Sequence, residues 1–190
     1  MTLDILTALG LSIPAGLNAY IPLLAVALAE RFGWLSLREP LDILGSWWII
    51  AIVVVLLVVE IVADKVPAVD HANDIVQSVI RPAAGGVVAV AASGSGSDIS
   101  PWLLVLIGVV FAGGTHVAKA TTRTVVNAST GGVGAPLVSA VEDTGAITLT
   151  AVAILVPILV VFVLALLLFG MWWLWWRRER RRRGNAEGPG

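Results

Sequence analysis

The chain has 190 residues, of which 58% are hydrophobic and only 13% charged, with a mean hydropathy of +0.94 and a formal net charge of -1. Soluble domains carry about 25% charged residues, so the composition argues against a soluble fold and for one helical membrane domain of ordinary length. The lack of cysteine excludes disulfides, zinc–thiolate sites and thiol nucleophiles, and the two histidines, His71 and His116, are too few for a histidine-rich metal cage.

The N-terminal Met1-Thr2-Leu3-Asp4 lacks the basic start of a cleavable signal peptide, so the first helix is expected to be retained. A spanning helix needs about 20 mostly apolar residues. The first candidate covers residues 5–29 and contains Pro14, Gly16, Asn18 and Pro22, which predicts a kink or break near its middle. A polar link over 30–44 leads to the second and most apolar helix, 46–63. Residues 64–81 read as a polar insert. Within it Val69, Ile75, Val76, Val79 and Ile80 predict a short amphipathic or re-entrant helix over 70–80. The third helix, 82–95, is largely Ala, Gly and Val and is expected inside the bundle, because small residues let helices approach closely. Ser93–Asp98 reads as a flexible link, and the fourth helix, 101–120, opens on Pro101. The polar, glycine-rich stretch 121–136 is either a loop or unwound backbone lining a cavity. A fifth helix is expected over 135–148, broken near Thr144-Gly145, and a sixth over 150–176, interrupted by Pro157.

Charge is distributed unevenly. Residues 177–190 carry six arginines against Glu179 and Glu187, leaving +4, whereas the preceding residues carry six Lys/Arg against eleven Asp/Glu, leaving -5. Tryptophans 172, 173, 175 and 176 lie directly before the arginines. That order marks a cytoplasmic membrane exit, with anionic lipid rather than nucleic acid as the tail's partner. The Lys/Arg bias then places the segment with Lys65 and Arg81 and the segment with Lys119 and Arg123 inside, and 94–100 outside. The expectation is an all-α integral membrane protein of the bacterial inner membrane with about six transmembrane helices and both termini cytoplasmic. Residues 1–176 form its single domain, and 177–190 a basic tail without fixed structure.

A weak internal symmetry supports two halves, 1–93 and 101–176. Pro14-Ala15-Gly16-Leu17-Asn18-Ala19-Tyr20 is similar to Phe111-Ala112-Gly113-Gly114-Thr115-His116-Val117, and Val59-Glu60 with Asp64 to Val141-Glu142-Asp143. Three spans per half would insert with opposite orientation, the inverted-repeat plan of many secondary transporters.

Ionisable groups in or beside hydrocarbon are functional candidates by default. Glu60 and Asp64 are four apart and share a helix face, so they are candidate cation ligands or proton relays; the alternative is a solvated helix end. Asp70 and Asp74 share another face, either extending the acidic site or capping a surface helix. Glu142 and Asp143 are adjacent, so at most one points squarely at a given site. His116, Lys119 and Arg123 form one basic face of the fourth helix, as counter-ions, as an anion site or as a positive-inside anchor. Lys65 and Arg81 are further counter-ions or gates. Asn18 suits hydrogen bonding at the kink. Glu60, Asp64 and Glu142 are the candidate metal ligands. No hydrolase triad, phosphate-binding loop or dinucleotide fingerprint is complete, so no catalytic residue is assigned and an enzyme is not expected.

The chain resembles a bacterial membrane-protein family catalogued as domain of unknown function 4126. The resemblance rests on Ala15-Gly16-Leu17-Asn18-Ala19-Tyr20-Ile21-Pro22, on Glu60 through Asp70, and on Asp74 with Arg81-Pro82-Ala83-Ala84-Gly85. It continues through His116, Lys119 and Arg123 to Asn127–Gly132, then Ala135–Ser139 with Glu142-Asp143. It implies an integral membrane protein and carries no activity. Glu60–Val66 is also similar, more weakly, to the Glu-x-Gly-Asp-Lys/Arg-Thr/Ser motif of small inverted-repeat cation transporters, but has one extra residue and lacks the glycine and the hydroxyl. The function expected is a small secondary transporter or channel moving a small cation through a carboxylate-lined site. Asn18 and backbone near 131–134 would supply neutral oxygens. A carrier of an anionic or lipid-linked substrate and a non-transporting scaffold are the alternatives. No cofactor beyond a bound cation is expected, and a homodimer is the expected assembly.

Overall fold

The computed structural model describes residues 2–65, 67–94, 98–155, 166, 168–173 and 176, with side chains described for these apart from 2–5, 67, 68, 70 and 71. Among them the regular structure is helical: α1 Thr2–Leu17, α2 Tyr20–Arg31, a short 3-10 helix Leu41–Gly45, α3 Trp47–Ala63, α4 Pro67–Ala92, α5 Pro101–Thr130 and α6 Ala135–Leu155. Ala72–Ala92 of α4, all of α5 and all of α6 are long and apolar enough to cross a membrane, while Leu6–Leu17 and Trp47–Ala63 are shorter apolar helices. Val55, Val58, Val59 and Val62 of α3 and Leu106, Val110 and Val117 of α5 face outward, as contact with lipid requires. Trp34, Trp47, Trp48 and Trp102 are exposed near one end of the bundle, an arrangement suited to headgroup depth.

The break expected in the first helix is present, but the segment does not cross as one span. Asn18 closes α1, its N–H donating to the Pro14 carbonyl at 2.9 Å. Its side-chain oxygen then accepts from the N–H groups of Tyr20 and Ile21 at 3.1 and 3.2 Å. That cap satisfies two otherwise unpaired donors at the start of α2, so the chain can reverse inside the protein. Thr7 and Leu11 border the same cavity as Val26 and Ala29; in an unbroken helix Thr7 and Ala29 would be about 33 Å apart. Helices α1 and α2 are therefore a hairpin of two short helices with its tip at Asn18-Ala19. The start of α1 lies at the same end as the link after α2.

Three further boundaries differ from the expectation. Most of the polar insert and of the helix after it are one helix, α4, Pro67–Ala92, with Pro82 inside it. What reads as a solvated insert is a helix in which Gln77 and Arg81 are buried and Asn73 and Asp74 half-buried. The stretch 121–136 is neither loop nor unwound backbone: α5 continues to Thr130, with Thr121, Thr122 and Thr124 donating to carbonyls four residues earlier. A tight turn follows, using left-handed Gly131 and Gly132 (φ +61° and +85°). Val133 within it is 84% exposed, so this turn is a surface turn and not a cavity wall. Finally, α6 runs through Thr144-Gly145 and past residue 149 without a break. Most of the sixth predicted helix beyond Leu155, and the whole arginine tail, lie outside the described residues.

Small residues bring α1, α4 and α5 together. A Cβ at Gly16 would strike the Ala112 carbonyl, one at Gly85 the Ala112 side chain, and one at Gly108 the Gly85 carbonyl. Ser12 donates to the carbonyls of Ala8 and Gly85 at 2.7 and 3.4 Å. The expectation that the Ala/Gly/Val helix sits inside the bundle holds, since Ala84, Val88, Ala89 and Ala91 are buried. Gly108→Ala places a methyl 2.7 Å from the Gly85 carbonyl carbon and is expected to cost about 1–3 kcal/mol. Gly114→Ala meets nothing within 4 Å and should be neutral or stabilising by up to about 1 kcal/mol. Thermal unfolding of the two purified variants in detergent checks both. The cysteine-free chain also allows a test of the hairpin. Thr2→Cys and Ser36→Cys should react with an impermeant maleimide from one side of oriented vesicles and Val133→Cys from the other, whereas an unbroken first span would put Thr2→Cys on the side of Val133→Cys.

Candidate functional site

The site forms where α3 ends, α4 passes, α5 runs toward its turn, and the α1–α2 tip points in. Each element supplies polar groups on one face. Asn73, Asp74, Gln77, Ser78 and Arg81 lie on α4 at helical spacings of three and four. His116, Lys119 and Arg123 form the buried face of α5. Glu60 is the buried acid of α3, and Asp64 caps it.

Asp64 is the hub. It accepts from Asn73 at 2.8 Å, from Lys119 at 3.2 Å and from Arg123 at 2.9 Å, and lies 3.8 Å from Arg81. Arg123 reaches on to Glu142 with its Nε and Nη2 at 2.9 and 2.5 Å. Arg81 donates to Glu60 at 2.8 Å and stands 3.8 Å from Asp74. Glu60, Asp64 and Arg81 are no more than 1% exposed, and Lys119 and Arg123 no more than 4%. Such charges are tolerable in an apolar interior only when paired and hydrogen-bonded.

Lys119 has a distinctive shell. Its ammonium donates to the Leu17 carbonyl at 2.7 Å and lies 3.2 Å from Asp64 and 3.3 Å from Glu142. Three oxygens from α1, α3 and α6 thus surround one positive charge. The Leu17 carbonyl is available because α1 ends there, leaving its last carbonyls without intrahelical partners. A cleft of about 390 Å³ between the end of α1, α5 and α6 reaches Lys119 and Glu142 past Thr115, Thr122, Leu137 and Val141.

His116 is not a third basic charge. Its Nδ1 lies 3.0 Å from Arg81 Nη1, and a guanidinium only donates, so Nδ1 accepts. Nε2, 3.1 Å from Ser78 Oγ, then carries the ring proton. Asn18 donates from its amide nitrogen to Asp143 at 3.1 Å, tying the hairpin tip to α6. Lys65 is exposed, donates to Ile61 and sits 4.0 Å from Asp143.

Most residues picked from the sequence therefore meet: Asn18, Glu60, Asp64, Asp74, Arg81, His116, Lys119, Arg123, Glu142 and Asp143. Asp70 belongs to α4, but its side chain lies outside the described residues. Asp64 and Glu142 converge on Lys119 and Arg123, whereas Glu60 pairs with Arg81. Among the described residues no three His, Cys, Asp or Glu side chains could hold a metal ion together. The backbone at 131–134 supplies no oxygen to the network; the Leu17 carbonyl does. Sequence reasoning missed Asn73, Gln77 and Ser78. Their signal is the shared helical face with Asp74 and Arg81, which is visible once 67–92 is read as one helix.

These features define an all-helical membrane protein built around a buried, charge-compensated polar core. The chain belongs to the family described as Domain of unknown function (DUF4126), whose profile matches residues 5–177. No curated protein and no solved structure matches it.

Replacing Arg123 by Ala would leave Asp64 and Glu142 sharing the single charge of Lys119, with Arg81 3.8 Å from Asp64. The expected loss is about 3–5 kcal/mol, the usual cost of removing one partner of a buried pair. In a double-mutant cycle, Arg123→Leu with Glu142→Leu should lose less than the sum of the single changes, measured by unfolding in detergent.

Proposed function

We propose that this protein is a small secondary transporter or channel that moves a small cation across the membrane through its polar core. The observation that carries this reading is the shell of Lys119. An ammonium held by a carbonyl and two carboxylates occupies the kind of all-oxygen environment that binds hard cations. Lys119 acts there as a tethered cation that seals the path. A mobile cation arriving through the cleft competes for Leu17, Asp64 and Glu142, and Lys119 swings aside when displaced. Arg123 keeps Asp64 and Glu142 from repelling each other throughout. The hairpin tip supports the same reading, because short helices ending at mid-depth bring backbone groups to ion sites in many carriers.

Buried ion pairs also serve purely as internal staples, so activity is the deciding measurement. In proteoliposomes the wild-type chain should pass a small cation down its gradient. Asp64→Asn and Glu142→Gln should each lower that flux by about tenfold or more, the loss of one hydrogen bond to a charged group. Lys119→Met should turn gated movement into a leak. Equal flux in wild type, Asp64→Asn, Glu142→Gln and protein-free vesicles would end the proposal.

A further inference from the structure

The charge of the network does not close. Asp64 and Glu142 are balanced by Lys119 and Arg123, and Asp143 faces Lys65. Arg81 alone faces both Glu60 and Asp74. Among the described residues five carboxylates thus meet four cations, with His116 neutral, and the excess negative charge falls on the α3–α4 seam, where Glu60 is 1% and Asp74 20% exposed. The same two helices carry acceptors that are not used. Glu60 Oε2, Asp74 Oδ1 and Gln77 Oε1 are buried without a hydrogen-bond partner, as is one donor, Arg81 Nε. Glu60 and Gln77 are 1% and 2% exposed. Tyr20, at the hairpin tip, is buried against Val53 of α3 and Ala84 of α4.

We infer that the seam between Glu60 and Gln77, roofed by Tyr20, is a binding site for one monovalent cation. A buried excess charge calls for a counter-charge, and three bare acceptor oxygens call for a donor or a hard cation. Both demands are met by a single positive charge. The smallest such species is a proton shared between Glu60 Oε2 and Gln77 Oε1; an alkali ion beside the same oxygens is the other source. A divalent ion would overshoot the charge by one. The groups facing the site are Tyr20 from α2, Glu60 and Asp64 from α3, Asp74 and Arg81 from α4, and His116 from α5. This site adjoins the Lys119 shell through Asp64 but has acceptors of its own, and it does not depend on transport.

Binding to the purified full chain tests it directly. Unfolding temperature would be measured in choline, sodium, potassium and calcium chlorides at equal ionic strength. An infrared spectrum at neutral pH would be searched for a protonated carboxyl band. Stabilisation by sodium or potassium over choline supports the alkali source. A carboxyl band that disappears in Glu60→Gln, with no alkali effect, supports the proton. Gln77→Leu removes an unpartnered polar atom and should fold. It is expected to weaken the alkali response about tenfold or more, or to shift the carboxyl band. Neither an alkali effect nor a Glu60 band in the wild type would overturn the inference. So would a response to calcium alone, or a Gln77→Leu variant that behaves as the wild type. Cation flux without any of these signals would leave the transport reading and remove this site, and binding without flux would do the reverse.

Discussion

A charge buried among hydrocarbon must be answered by another charge, and that constraint shapes the centre of this protein. Asp64 meets it through contacts to Asn73, Lys119 and Arg123, with Arg81 just beyond. Those partners come from α4 and α5, so the helix that ends at Asp64 cannot leave the bundle without stranding several ions. Arg123 carries the linkage to Glu142 on α6, and Lys119 carries it to Leu17 on α1. One network thus binds α1, α3, α4, α5 and α6. Such networks add little net stability over apolar packing, but they penalise alternative arrangements severely.

Close helix approach and the network depend on each other. Glycines at positions 16, 85 and 108 let α1, α4 and α5 cross nearly backbone to backbone. That crossing brings the end of α1 next to Lys119, so an orphan helix carbonyl becomes a ligand. Asn18 completes the tip by using one side chain twice, its oxygen capping α2 and its nitrogen holding Asp143. The hairpin therefore delivers both polar backbone and a polar side chain to the interior, without exposing unpaired groups to lipid.

Much of this was legible in the residues. Apolar runs of membrane length, the break near Asn18 and the acids at the end of α3 all follow from local pattern, because hydropathy, helix breakers and i,i+4 spacing act within a few residues. The boundaries of α4 and α5 were not legible. A helix that buries a polar face against opposite charges looks like a solvated insert when its partners, tens of residues away, are unseen. For the same reason Asp74 reads equally as a surface cap, Gln77 gives no signal of its own, and His116 reads as part of a basic face.

The sequence by itself determined that the chain is an all-helical membrane protein, that its glycines and alanines pack helices closely, and that its few charges are candidates for function. Those properties are sums over neighbouring residues. Only the tertiary structure decided that the first apolar segment folds back as a hairpin, that Arg81, Lys119 and Arg123 stand between the acids, and that Glu60 and Asp74 share Arg81 on the α3–α4 seam. Charge balance is a property of the assembled set, since Coulomb energy depends on distance in space and not along the chain.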